Sequence, residues 1–407
     1  MITAILKRIP LVAKINRVIK SAQTKSFYCS WCKRYGSPCV LQASDRTTWV
    51  SLFTPDGFLD APEPARTSVR RFFFVSSSWD QDRSGLVQGL QAHGEVGVFR
   101  GPDNKNELRM SSNPAEMAAC REANKDALEA EFDLFAGKGP VSALIGQMWN
   151  FSVPAATLAR IRASGVPVIN IGMDDRHSFH KTPLADGSDG GVAGIVGAIT
   201  LGATAAPECV SWYKSLGTPA IFFPEASDPL LFRVSSRPKI HDITFVGASY
   251  GFRSQVVSHL RRAGLRVTTY GSGWPEGRIE TEAIPELFAC SRIVLGIGAI
   301  LHCSDFTTLK LRDFDAPMSG SFYLTQENPD LGLVFEIGAE IETWRDLPQL
   351  VDKCRRYLAD SAARERVAAA GRARAVAEHT WARRFSVLLR QLDAITPLVR
   401  TGRQIER

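Results

Sequence analysis

The sequence predicts an α/β protein made of two Rossmann-like domains behind a basic helical leader. Three observations predict it. Short apolar runs alternate with amphipathic helical segments through most of the chain, the pattern of a parallel sheet covered by helices on both faces. The alternation halts in a turn-rich segment around Pro224, Asp228 and Pro229 and then resumes, so there are two such units. The length of 407 residues exceeds what one core comfortably serves and suits two domains.

Composition supports a folded chain: 44% hydrophobic and 22% charged residues are near globular averages and exclude the disordered and fibrous classes. A formal charge of +7 points to an anionic partner, which nucleic acid, a lipid surface or a phosphorylated substrate would each satisfy. No apolar run approaches the roughly 20 residues that span a bilayer, and no signal-peptide core is evident; the chain reads as cytoplasmic. Its eight cysteines, mostly in apolar segments such as FACSRIV and VDKCRRYL, read as reduced buried thiols. Cys29, Cys32 and Cys39 in CSWCKRYGSPC have zinc-like spacing without an obvious fourth ligand. They read as three free cysteines, with zinc the alternative.

The elements follow in order. Ile2, Ile5, Ile9, Val12, Ile15 and Ile19 recur at helical spacing among Lys7, Arg8, Lys14, Arg17 and Lys20, and no acid precedes Asp45. Such a helix in residues 1–25 suits an anionic membrane surface; packing on the protein itself is the alternative, and Pro10 interrupts the pattern. This leader and a Pro-rich linker occupy 1–64. In the first domain, 65–220, RRFFFVSSS, EVGVFR, VSALIGQMW and VPVINIGMDD read as strands separated by helices, and a last helix and strand lie in CVSWYKSLGTPAIFF. In the second, 221–378, HDITFVGAS, LRVTTYGSG, SRIVLGIG and SFYLT read as strands, with a helix over about 253–263. A helical tail closes the chain over 379–407.

Ligands of such sheets collect at the carboxyl ends of the strands, here expected in the cleft between domains. Gly247 and Arg253 follow the strand ITFVG as an anion loop or an ordinary turn. Gly271 and Trp274 in YGSGW offer a nucleobase platform or a packed tight turn. In KLRDFDAPMSG, Lys310 and Arg312 supply a point charge and a planar fork for phosphate, and Asp315 a carboxylate for ribose hydroxyls; a surface pair of Arg312 with Asp315 is the alternative. Asp174, Asp175, Arg176, His177 and His180 crowd the end of VPVINIG. Asp175 and His177 are the candidates for a general base, against metal ligation or turn capping. The polar loop SSSWDQDRSG occupies an equivalent edge.

From Lys310 through HTWARRF the sequence resembles the GT-B glycosyltransferases that use nucleotide sugars, and within them the spore-maturation, CgeB-like branch. The resemblance rests on the ordered run KLRDFDAPMSGSFYLT, F..G.E, R...A..GR and HT...R, on FPEASDPLLF, and on VPVINIGMDD. It implies a nucleotide-sugar donor on the second domain and a glycan, lipid-linked or protein acceptor on the first. It also implies a last helix that crosses back to the first domain, and neither a metal nor another cofactor. Nucleic acid is not an expected partner; the basic leader, rather than the resemblance, suggests that a cytoplasmic protein could sit peripherally on the inner face of a membrane. Carried over by position, Lys310 and Arg312 fall beside the diphosphate, with Gly247 and Arg253 on the first loop and Gly320 at the small-residue end of the motif. Asp315 falls on the second acid of an E-x7-E pair. Thr307 stands where the first acid belongs, and Asp305 is two residues out of register. The implied activity is transfer of a hexose-type sugar to an acceptor hydroxyl, in glycan or cell-surface polysaccharide synthesis. An inactive scaffold of the same fold is the alternative, and a nucleotide-sugar epimerase a further one.

Overall fold

The computed structural model describes residues 10–43, 46–53 and 70–401. The leader positions Ile2, Ile5, Lys7, Arg8 and Ile9 lie outside them. The chain forms two compact units, each assembled from separated stretches: Pro55–Leu231 with Ala375–Arg407, and Met1–Thr54 with Phe232–Arg374.

The first unit holds a six-stranded sheet of β1 (Arg71–Val75), β2 (Glu95–Val98), β3 (Ala143–Gly146), β4 (Val168–Gly172), β5 (Leu201–Thr204) and β6 (Ala220–Phe222). Its order is β2-β1-β3-β4-β5-β6 and every pairing is parallel. Parallel strands are buried on both faces and so read as unbroken apolar runs. Accordingly Phe72, Phe73 and Phe74 are all buried, and Phe73 meets Phe132 and Phe135 of the helix Pro114–Ala136 at 5.9 and 5.4 Å between ring centroids. That helix begins where the Asn113 side chain accepts from the Ala115 N–H, with Pro114 in the first turn, where a missing N–H is harmless. The helix Trp381–Thr401 belongs to this unit as well. It lies so close to the helix Leu86–Gln91 that a Cβ on Gly89 would stand 2.3 Å from that of Trp381.

The second unit carries β7 (His241–Val246), β8 (Val267–Tyr270), β9 (Ser291–Gly296), β10 (Phe322–Gln326) and β11 (Glu342–Trp344) in the order β11-β10-β9-β7-β8, again wholly parallel. Ile243, Phe245, Val256, Leu260, Ile293 and Leu295 form the heart of its core. The helix Pro10–Arg34 packs here through Tyr28, whose ring lies 4.7 Å from that of Phe306. Pro10 heads this helix, in the one turn where proline is tolerated. Trp49, in the short helix Arg46–Ser51, donates its indole N–H to Asp330 at 2.8 Å.

Two strands were not anticipated, β5 and β11. β5 reads LGAT, and its small residues have a cause: a Cβ on Gly202 would lie 2.6 Å from the Tyr213 ring. The apolar bulk at this place comes from a neighbouring helix, so the strand itself is faint. β11 is three residues long and opens on Glu342. Among the described residues no helix is long and apolar enough to cross a membrane.

Candidate functional site

In an open parallel sheet the chain winds outward in both directions from one pair of strands, and their carboxyl ends open a crevice. The five-stranded order places that point between β7 and β9. Beyond β7 the chain turns through Gly247 at φ 149° and Gly251 at φ 59°. Gly271, beyond β8, has φ 133°, and a Cβ there would come within 2.5 Å of the Gly247 carbonyl. The two loops therefore lie on each other only because residue 271 is glycine. Trp274 donates its indole N–H to the Gly247 carbonyl at 2.7 Å and sets its ring edge-on to Phe245. Trp274 is thus packed into its turn and half-buried.

Two arginines converge on this loop. A Cβ added to Gly247 would lie 3.2 Å from Nη1 of Arg312 and 3.3 Å from Nη1 of Arg253. Arg253 opens the helix Arg253–Arg262, donates to the Ala248 carbonyl at 3.2 Å and lies 4.3 Å over the Tyr250 ring. Arg312 opens the helix Arg312–Met318, donates from Nη1 to the Val246 carbonyl and lies 4.7 Å over Phe245. Its Nε and Nη2 are buried without an acceptor. A buried donor left unmatched costs about 1–3 kcal/mol, so the arrangement favours entry of an anion.

Beneath Arg312 sits a residue that the sequence reading missed. Asp313 is 2% exposed and accepts from the Lys310 backbone N–H at 2.7 Å and the Tyr323 hydroxyl at 2.5 Å, with Thr325 Oγ1 at 3.4 Å. Burial raises its carboxyl above the usual range, against these hydrogen bonds. The hub fits because β9 ends in Gly296, where a Cβ would fall 2.1 Å from Thr325 Oγ1 and 2.2 Å from the Tyr323 hydroxyl. The available signal was an acid three residues after Lys310, the spacing of a helix-capping box.

Asp315 is buried on the same short helix, and Lys310 is half-buried just ahead of it. Gly320 is not brought to this place. It has φ 76° and closes the far end of the helix against Val234 and Arg372, eight residues or roughly 12 Å from Arg312 at about 1.5 Å per residue. Its role is to stop the helix before β10.

A pocket of ≈ 1000 Å³ opens beside the carboxyl ends of β10 and β11. Phe252, Thr307, Gln326 and Leu347 line it together with Val40 and Thr47 from the amino-terminal segment. Thr307, where the resemblance leads one to expect an acid, is on this wall. Asp305 pairs with Lys25 of the helix Pro10–Arg34 at 2.8 Å. Gln326 holds the same loop by accepting from the Ala299 N–H and donating to the Ser304 carbonyl. Leu301 in this loop has φ 51°, a conformation that costs a non-glycine residue about 1 kcal/mol or more.

In the six-stranded sheet the corresponding point lies between β1 and β3. Asp82 occupies it, accepting from Ser76 Oγ at 2.6 Å and from Gln147 Nε2 at 2.8 Å, while Ser77 donates to Gln147 at 3.0 Å. Burial pushes the Asp82 carboxyl up to about 7, with Ser76 and Gln147 opposing. The loop had been singled out, but nothing in its sequence distinguished Asp82 from Asp80.

Asp175 lies under the end of β4. Its carboxyl accepts from the Tyr213 hydroxyl at 2.9 Å, fills the space above Gly172 and is pushed by burial to about 7. At 1% exposure it is enclosed by the sheet edge, whereas His177 on the same turn is half-buried. Arg176 pairs with Glu208 at 2.7 Å with both side chains buried, and His180 with Asp189 at 2.7 Å. The crowded segment is thus largely occupied in fixing its own turn. Cys29 and Cys39 bring their sulfurs to 3.4 Å, and none of the eight cysteines is in a disulfide. Among the described residues no three metal-binding side chains gather in a geometry that could hold an ion.

Residues 253–390 match the family model described as glycosyl transferase-like. The search of curated proteins finds no match. Among solved structures, sucrose-phosphate synthase from Thermosynechococcus elongatus aligns with a TM-score of 0.56 at 12% identity, over 80% of this chain and 99% of that one. HepE from Anabaena, solved with UDP-glucose, gives 0.55 at 11% identity over 80% and 99%. A glycosyltransferase from Rickettsia africae gives 0.52 at 10% identity over 81% and 99%. The fold is that of the GT-B glycosyltransferases, two parallel-sheet α/β units with a helical amino-terminal segment.

Proposed function

We propose that this protein is a glycosyltransferase that takes a sugar from a nucleoside diphosphate donor held on the five-stranded unit. The observation that carries this reading is the pair Arg253 and Arg312 at Gly247, with two buried guanidinium nitrogens of Arg312 lacking an acceptor. Such a pair suits the diphosphate, whose negative charge grows as it leaves. Asp315 is assigned to the ribose, and the pocket lined by Phe252 and Thr307 to the rest of the nucleoside. The glycosyl transferase-like match over 253–390 and the UDP-glucose complex of the Anabaena protein support the class of donor. We assign the acceptor, a glycan, lipid-linked or protein hydroxyl, to the six-stranded unit, with His177 and the Asp82 network as the groups that handle its proton. Independence from metal, a hexose as the transferred sugar, polysaccharide synthesis and the CgeB-like branch are extensions of the same reading that rest on the sequence motif.

One observation favours the alternative of a silent scaffold: the acid of the E-x7-E pair is replaced by Thr307, and nearby Asp305 is held by Lys25. Calorimetric titration with uridine, guanosine, adenosine and thymidine diphosphates, followed by turnover of the matching nucleotide sugars, decides between them. Binding of one diphosphate and release of its sugar are expected. Binding of none of the four refutes the transferase reading and favours the silent scaffold, and binding without turnover over any acceptor also counts against transfer.

A further inference from the structure

The helix Pro10–Arg34 has two halves with different surroundings. Its carboxyl half is anchored on the five-stranded unit by Tyr28, Cys32 and the Lys25–Asp305 pair. Nearer its amino end three apolar side chains stand in solvent: Ile15 is 49%, Val18 63% and Ile19 48% exposed. Positions 15, 18 and 19 share one helical face, and the next residue on that face is Ala22. Arg17 and Lys20 fall outside this stripe on the remaining arc of the helix. No acid occurs before Asp45. From Ile15 to Ser21, whose carbonyl accepts from the Cys303 thiol at 3.8 Å, is roughly 9 Å along the helix axis at about 1.5 Å per residue, so the stripe begins more than one turn ahead of that contact.

We propose that this half-helix docks the protein on an anionic lipid surface, with Ile15, Val18 and Ile19 entering the acyl boundary and the flanking cations meeting acidic head groups. Charge decides the occupant. A second copy would bring the same cations against its own, and an uncharged apolar partner would leave them unused. An anionic bilayer matches both the stripe and its flanks. The inference is independent of the donor site, because none of these residues belongs to it.

The test is flotation of the full chain with vesicles of pure phosphatidylcholine and with vesicles containing 30% phosphatidylglycerol as the probe. Binding is expected to the anionic vesicles only, at least tenfold above the zwitterionic ones, and to fall at high salt. Each cation near the surface is worth about fivefold in partition, so Arg17→Glu with Lys20→Glu is expected to lower binding more than twentyfold. Val18→Asp with Ile19→Asp is expected to abolish it. Circular dichroism and diphosphate titration unchanged from wild type show that each variant is folded. Absence of binding to anionic vesicles, equal binding by the variants, or a concentration-dependent dimer that these substitutions abolish without vesicle binding would each overturn the proposal.

Discussion

Replacing Arg312 by Ala separates donor binding from stability, because the two are expected to move in opposite directions. Nε and Nη2 of Arg312 are buried without acceptors, and relieving two such donors returns about 2–6 kcal/mol. Against this stand the Nη1 bond to the Val246 carbonyl and the contact over Phe245, together about 1.5–3 kcal/mol. The ligand-free variant should therefore be no less stable than wild type by more than about 1 kcal/mol, and gains of several are within the range. Donor affinity should fall steeply. Two charge-assisted bonds to phosphate are worth about 3–6 kcal/mol, at least a hundredfold in Kd. Arg312→Lys keeps the charge without the fork and should recover part of the loss. Calorimetric titration with the four diphosphates, alongside urea unfolding without ligand, reads both quantities. Undiminished affinity, or a ligand-free variant weakened by more than about 3 kcal/mol, would mean that Arg312 is a structural prop.

Three further outcomes follow from the same geometry. Asp82 is held near 7 by burial, above its unfolded value, so the folded state binds the extra proton between about pH 4 and 7. Stability supplied by the protonated form is then lost as pH rises through that window. Asp82→Asn should flatten the fall in urea midpoint between pH 5 and 8 and leave pH 5 stability little changed. Gly271→Ala forces a Cβ to 2.5 Å from the Gly247 backbone at a φ of 133° and should cost about 2–4 kcal/mol, visible in urea unfolding. Trp274→Phe removes the bond to the Gly247 carbonyl; it should cost about 1 kcal/mol of stability and weaken diphosphate binding severalfold through the loosened loop, again by titration.

The two sheets were legible because fully buried parallel strands write themselves as apolar runs, as FFFV does at β1. Elements whose neighbours supply the bulk do not: β5 is small because Tyr213 leans on it. The same division holds at the site. Arg253, Arg312 and Gly247 were found from strand ends and residue chemistry, and the structure brings them to one point. Trp274 and Gly320 were chosen by motif, yet one clamps a loop and the other stops a helix. Asp313 and Asp82 were missed because their importance lies in who surrounds them: Tyr323 and Thr325 in one case, Ser76 and Gln147 in the other. Those partners are brought together by strand order, which no local stretch of sequence contains.

The interleaving of the two units has a consequence for biosynthesis. The helix Pro10–Arg34 emerges from the ribosome well before Phe306 and Asp305, on which it rests. At about 5–20 residues per second, the roughly 270 residues between Arg34 and Asp305 take about 14–54 s to appear. The six-stranded unit waits longer still, since Trp381 and its helix, which close over Gly89, lie further along the chain. A ribosome stalled anywhere in between would therefore display a basic, apolar-striped helix with nothing to rest on, and no division at Leu231 would yield two halves that each fold alone.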